Sequence, residues 1–107
     1  MKEGIIMDKP KYIIKASYLL YYGSVRISRY KLESETKAYY CTVDEYRNAC
    51  SFLKEDIGKP ILRNESSAAC EVSVFMIDAD NDTLIKLLCK WFTDKAQEIM
   101  KIKVDIE

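Results

Sequence analysis

Residues 11–32 have the sequence KYIIKASYLLYYGSVRISRYKL and decide the fold of this chain. Their first half alternates with period two and is rich in isoleucine and tyrosine, a pattern typical of a β-strand. Gly23-Ser24 follows, and a glycine supplies the positive φ that the first position of a two-residue type II′ turn requires. Residues 25–32 form the returning strand. The stretch therefore predicts a β-hairpin that reverses at Gly23-Ser24.

The two-residue turn also predicts which residues of the hairpin share a face. It pairs Tyr22 with Val25 and Tyr21 with Arg26, so the even-numbered residues of the first strand lie on the more apolar side. We expect that side to face the core. The opposite side is amphipathic and is the candidate partner-binding surface, called here the hairpin face. It consists of Lys15, Leu19, Tyr21, Arg26 and Tyr30.

The segment after the hairpin combines a short strand with a helical pattern. Residues 38–41 predict a third strand, and Thr42 and Glu45 have the spacing of a capping box. Apolar residues then recur at helical spacing as far as Ile57, and Gly58 is a typical helix terminator. The pattern predicts a first helix that Thr42 caps and Gly58 ends.

The second half of the chain has one clear strand pattern and one clear helix pattern. Residues 69–77 alternate, with apolar side chains on both faces of the second half, as is typical of a strand inside a sheet. Residues 61–62 predict a short strand before it. Residues 81–99 have an apolar helical stripe and predict a second helix. Residues 102–106 alternate again and predict a final strand.

The predicted order of elements is β-β-β-α-(β)-β-α-β. Two amphipathic helices must cover apolar sheet surface, so the simplest arrangement is α+β. It has a mostly antiparallel sheet of four to six strands with both helices packed on one face. At 107 residues the chain fits a single domain, 1–107, in which residues 1–10 are a candidate flexible N-terminal segment.

The apolar runs are short throughout the chain. The run at residues 5–7 is too short for a signal-peptide core, and no window reaches the ~18 uninterrupted apolar residues of a membrane helix. We therefore expect a cytoplasmic protein without a membrane partner. Cysteines 41, 50, 70 and 89 lie on apolar stripes, so we expect buried free thiols.

Catalytic chemistry finds little support in the residues available. The chain has no histidine, which excludes Cys–His and Ser–His–Asp sites and removes the commonest general base and zinc ligand. No phosphate-binding glycine loop is present. We expect that the protein is not an enzyme and uses no cofactor or metal.

Residues 78–83, DADNDT, offer one alternative to that expectation. Their carboxylates follow an apolar strand and could hold Mg²⁺ or Ca²⁺, and the DxD pair resembles the first motif of the haloacid-dehalogenase phosphatases. Thr83 comes one residue later than in that motif, and the chain that follows is too short for the rest of that fold. In the other interpretation, Asp80 or Asn81 caps the second helix. We predict the cap.

Tyrosine and positive charge are concentrated at one end of the chain. All eight tyrosines lie within residues 1–46, and residues 1–31 carry seven Lys/Arg against two Asp/Glu. Residues 32–107 carry ten against fifteen. Because tyrosine and arginine dominate binding hot spots, this asymmetry favours a protein partner bound by the hairpin face. Small chains without cofactor motifs are typical of inhibitor or adaptor proteins encoded by phages and mobile elements, and we predict such a role.

Other interpretations of the hairpin face stay open. Its tyrosines could stack on bases while its cations contact phosphates, as in a nucleic-acid-binding module, although the formal net charge of zero counts against this. Tyrosine also favours strands for its own sake, which would leave the face merely solvated. Self-association as a homodimer, through this face or through the edge of the first strand, is compatible with the same pattern.

Overall fold

The computed structural model of the chain describes residues 10–64 and 70–101, which form an antiparallel sheet and one α-helix. The strands are β1 (Tyr12–Leu19), β2 (Ser24–Glu35), β3 (Tyr39–Val43), β4 (Ala49–Leu53), β5 (Ile61–Asn64) and β6 (Cys70–Ile77). Helix α1 spans Asn81–Met100, and Lys54–Asp56 form a 3-10 turn. Within these residues the sheet has six strands in the order β4-β3-β2-β1-β6-β5. The α+β class and the antiparallel sheet are therefore confirmed.

The N-terminal hairpin is present, but its reversal is longer than predicted. Leu19 pairs with Ser24, so the loop has four residues, and the N–H of Gly23 donates to the carbonyl oxygen of Leu19 at 2.7 Å. Gly23 takes the positive φ (63°) at the end of the loop. The predicted two-residue turn is wrong, and Tyr18 instead of Tyr22 lies opposite Val25. The register differs by four, an even number, so the strand residues keep their predicted faces.

The predicted first helix is wrong, because this segment forms the β3–β4 hairpin. The carboxylate of Asp44 accepts the backbone N–H groups of Tyr46 and Asn48, both at 2.8 Å, and Arg47 adopts a positive φ of 67°. An Asp side chain that binds nearby amides stabilises a turn in competition with a helix. The hydroxyl of Thr42 donates across the hairpin, to the carbonyl oxygen of Cys50 at 3.0 Å, and caps nothing.

The two-helix arrangement and the predicted order of elements are therefore not confirmed. Within the described ranges six strands precede a single α-helix, and the final strand predicted at residues 102–106 lies outside those ranges. The second helix is confirmed as α1, and the strand predicted at 61–62 is confirmed as β5. The strand predicted at 69–77 is confirmed as β6 over its described part, Cys70–Ile77. β1 lies between β2 and β6, so the first strand has no free edge for self-association.

Helix α1 covers one side of the sheet, called here the helix face. Leu84 of α1 is fully buried, and Phe92 packs edge-on against Tyr18 of β1 with ring centroids 5.1 Å apart. The buried side chains of this larger core come from β1, β6 and α1: Ile14, Ala16, Val72, Val74, Leu84 and Leu88. The side of the hairpin predicted to face the core thus does so.

The opposite side of the sheet holds a second, smaller core that the sequence pattern did not predict. Phe52 of β4 and Phe75 of β6 have ring centroids 4.8 Å apart, although three strands lie between them. In a flat sheet four strand spacings would separate them by roughly 19 Å, so the sheet must curl to bring them together. Ile13 is buried in this cluster, and Tyr30 packs on Phe52 at 4.9 Å.

Candidate functional site

The structure places the predicted partner-binding residues in three different settings. One side of the β1–β2 pair carries Lys15, Leu19 and Arg26. Arg26 of β2 lies opposite Ser17, the residue of β1 that is between Lys15 and Leu19 on that side. Arg26 is exposed, whereas Lys15 and Leu19 are half-buried. The three residues thus share the side of the sheet on which the sequence places them.

Tyr30 shares that side of the sheet but turns into the smaller core. Its ring packs edge-on against Phe52, and it lies opposite the buried Ile13. Burial raises the pKa of the Tyr30 phenol above its ordinary value, and a hydrogen bond with Ser28 opposes that shift. The prediction that Tyr30 stands beside Tyr21 on an open face is wrong, because β3 and β4 curl over this end of β2.

Tyr21 lies in the four-residue loop at the end of the hairpin. It is 71% exposed and Tyr22 is 68% exposed, and their rings pack edge-on with centroids 5.1 Å apart. Leu20 and Val25 beside them are also exposed. We call these four residues, Leu20, Tyr21, Tyr22 and Val25, the hairpin tip.

The sequence interpretation missed Leu20 and Tyr22 as surface residues because it assigned both to the paired strands. A loop ending in a glycine with positive φ is an ordinary alternative to a two-residue turn, and Gly23 is compatible with either. The longer loop removes Tyr21 and Tyr22 from the paired strands, and this produces an exposed aromatic pair.

Cations line a groove that follows β2 away from the hairpin tip. The groove has a volume of ≈ 930 Å³ and runs between β2 and the β3–β4 turn. Four basic residues line it: Arg26, Arg29, Lys31 and Arg47. The Arg29 guanidinium lies 4.5 Å from the centre of the Tyr12 ring, a cation–π distance that holds it against β1.

The turn at one wall of this groove is organised by Asp44. Besides the two backbone amides, its carboxylate accepts the side-chain amide of Asn48 at 3.2 Å. These hydrogen bonds, the backbone N–H of Asn48 foremost, hold the pKa of Asp44 below its ordinary value. The charged carboxylate is thus part of the turn that replaces the predicted helix.

This turn should make stability depend on acid. Because the pKa of Asp44 is lower in the folded chain, its stabilising contribution is complete above about pH 4 and is lost as pH falls through the lowered value. Asp44→Asn keeps an oxygen acceptor but removes the titrating group. We expect the melting temperature of this variant to fall less than that of the unchanged chain when the pH is lowered from about 5 to about 2.5. Thermal unfolding monitored by circular dichroism measures both.

Glu45→Gln is the matched control, because it removes a carboxylate from the next residue, whose side chain is exposed and makes no hydrogen bond among the described residues. An equal acid-induced loss in Asp44→Asn and in the unchanged chain would contradict the assigned role of Asp44.

The acidic segment after β6 has the capping role predicted for it. Asp80 is the N-cap of α1 and accepts the N–H of Thr83 at 2.9 Å. A hydrogen bond from the side chain of Thr83, together with this backbone bond, lowers the pKa of the Asp80 carboxyl. Asp78 accepts the N–H of Tyr12 at 3.0 Å and so fastens the helix entrance to β1. Residues 10–64 and 70–101 contain no group of three or more His, Cys, Asp or Glu side chains placed to hold a metal ion.

The four cysteines are free thiols, as predicted. Cys41, Cys50 and Cys70 are half-buried, so full burial is not observed, and Cys89 lies on the exposed side of α1. The prediction of burial is wrong for Cys89.

Comparison of the chain with protein-family models, with curated proteins and with solved structures finds no significant match. Of the helical residues described, none form a helix of the length and apolar character needed to span a membrane.

Proposed function

We propose that this protein is a small non-enzymatic binding protein that engages a protein partner through its β1–β2 hairpin, in an inhibitor or adaptor role. One observation carries the proposal: the hairpin tip exposes two tyrosine rings packed edge-on, at 71% and 68% exposure. Tyrosine provides a large amphipathic contact area with few rotatable bonds, which makes such a pair suited to a protein interface.

The residues around the tip support a protein partner better than a nucleic acid. Arg26 adds a planar, exposed donor group near the tip. Leu19 pairs with Glu71 of β6, so a half-buried carboxylate lies on the same side of the sheet as Arg26, which disfavours phosphate there. Tyr21 and Tyr22 pack on each other through edge and face, which differs from an open platform on which successive bases stack.

The proposal is tested by affinity capture from a lysate of the native host, with bound proteins identified by mass spectrometry. Tyr21→Ala combined with Arg26→Ala is expected to reduce recovery of the captured partner by about tenfold or more, as loss of two hot-spot residues does. Circular dichroism of the double variant should be unchanged, because both side chains are exposed.

The matched control is Lys37→Ala combined with Tyr39→Ala. It also removes one cation and one exposed tyrosine, but at the far end of β2 from the tip. Normal capture by the Tyr21/Arg26 double variant would overturn the proposal. Retention on an immobilised oligonucleotide at low salt, with steep release as salt rises, would overturn it in favour of the nucleic-acid alternative.

A further inference from the structure

We propose that the open edge of β2 binds an extended acidic peptide segment of a partner protein, which adds to the sheet as a further strand. This inference rests on the proposed function, since β2 is one half of the proposed binding hairpin. It specifies the chemistry of the partner and the mode of contact, namely backbone hydrogen bonds along an edge with side-chain selection in the adjoining groove.

The first half of β2 has a strand on one side only. β3 pairs with residues 31–35 of β2 and then turns away at Asp44, so residues 24–30 have β1 as their single neighbour among the described strands. Residues 24–30 therefore form an open edge of seven residues. Such an edge is a template for pairing with another chain.

The hydrogen-bonding pattern between β1 and β2 shows which backbone groups of β2 point toward the open edge. The N–H of Leu32 donates to the carbonyl oxygen of Lys11, so even-numbered residues of β2 direct their backbone groups toward β1. The N–H and C=O groups of Val25, Ile27 and Arg29 therefore point away from β1. Within the part of the chain that the structure describes, these groups have no backbone partner.

The groove along this edge distinguishes it from the other two edges of the sheet. The outer edges belong to β4 and β5, which have five and four residues, and short edges are a common protection against pairing. The edge of β2 is longer, and the ≈ 930 Å³ groove lies along it with residues 43–47 as its far wall. A peptide strand added at this edge would lie in line with β3, which pairs with the following part of β2.

The charges of the groove select an acidic segment. Four cations line it, against two anions, Asp44 and Glu45. The carboxylate of Asp44 already accepts hydrogen bonds from the amides of its own turn, so it is less able to neutralise the cations of the groove. A segment rich in aspartate or glutamate complements this excess of positive charge.

The open edge presents apolar side chains beside its cations, since Val25 and Ile27 share the helix face with Arg29, while Arg26 lies on the other side. Val25 and Ile27 direct their side chains to the helix face, where Ile27 also borders a hollow of ≈ 410 Å³. Tyr12, Ile14 and Ala79 contribute apolar surface to that hollow. The fitting segment is therefore an extended run that combines acidic with apolar residues.

The probe for the test is a fluorescein-labelled peptide of about seven residues with alternating glutamate and valine, long enough to cover the open edge. Fluorescence anisotropy with the full chain should show saturable binding at concentrations up to about 1 mM. The same peptide with lysine in place of glutamate should not bind. Absence of saturable binding by the glutamate peptide would overturn the inference, as would equal binding of both peptides.

Ile27→Pro tests the backbone edge directly. It removes an N–H that points away from β1, so the hydrogen bonds between β1 and β2 stay intact. We expect it to weaken peptide binding by about tenfold or more, while Ile27→Val, which keeps the N–H, binds like the unchanged chain. Unaltered binding by a folded Ile27→Pro variant would contradict strand addition.

Hydrogen exchange on the unchanged protein gives a second measurement that does not depend on the folding of a variant. Saturating glutamate peptide should slow exchange at the amides of Val25, Ile27 and Arg29, while the already bonded amides of Arg26 and Ser28 change little. Binding without protection at the odd-numbered amides would overturn the inference.

The two proposals fail in distinguishable ways. If the Tyr21/Arg26 double variant loses partner capture while the glutamate peptide does not bind the unchanged chain, the edge inference fails and the proposed function stands. If the peptide binds as expected but that double variant captures its partner normally, the role of the hairpin tip fails and the edge inference stands.

Discussion

Phe75→Ala is expected to lower the free energy of unfolding by about 3–5 kcal/mol, the range measured for truncation of buried phenylalanine. Phe75 lies on the side of the sheet opposite α1 and is 4% exposed. Its ring contacts Phe52, which in turn contacts Tyr30, so the truncation opens a cavity at the centre of the smaller core. Equilibrium unfolding in urea measures the change.

Tyr46→Ala is the control for this prediction. Tyr46 is an aromatic residue of the β3–β4 turn but is 76% exposed, so its truncation should change stability by no more than about 0.5 kcal/mol. If Phe75→Ala cost no more than Tyr46→Ala, the second side of the sheet would not be a packed core, and the curl of the sheet would be refuted.

The elements that could be predicted from the sequence are those whose patterns have one physical explanation. The period-two runs at β1 and β6 and the apolar stripe of α1 each match their structure, because each buries a continuous apolar surface. The capping role of Asp80 was predictable for the same reason, since an acceptor before an apolar helical stripe satisfies the free amides of the first turn.

The segment from Thr42 to Ile57 could not be assigned from its periodicity. Its apolar spacing fits a helix, but Asp44 and Asn48 supply local hydrogen bonds that hold a turn, and Phe52 finds its contact on β6, more than twenty residues away in sequence. A window of neighbouring residues contains no information about that contact. Tertiary packing therefore overrides the local pattern.

The candidate site was predictable only in part, because the segment from Thr42 to Ile57 was predicted to be a helix. The register shift of four left Lys15, Leu19 and Arg26 on their predicted face, because alternation survives an even shift. The burial of Tyr30 depends on Phe52, which lies in the segment that the sequence pattern predicts to be helical. The open edge of β2 likewise exists because the chain turns at Asp44 and forms β4 instead of continuing beside β2.

Leu84→Ala is expected to lower the free energy of unfolding by about 2–5 kcal/mol. Leu84 is the fully buried residue in the first turns of α1 and packs within the core formed with β1 and β6. The substitution removes a side chain that holds the helix against the sheet. The hydrogen bonds of Asp78 and Asp80 at the helix entrance stay intact.

A substitution near the other end of the same helix separates packing from helix formation. Ile99 is 66% exposed, so Ile99→Ala should change stability by no more than about 0.5 kcal/mol, even though it removes a branched side chain from α1. Urea unfolding of the two variants compares them directly. A cost for Leu84→Ala as small as that for Ile99→Ala would mean that α1 is held by its caps alone and that the helix face of the sheet is not a core.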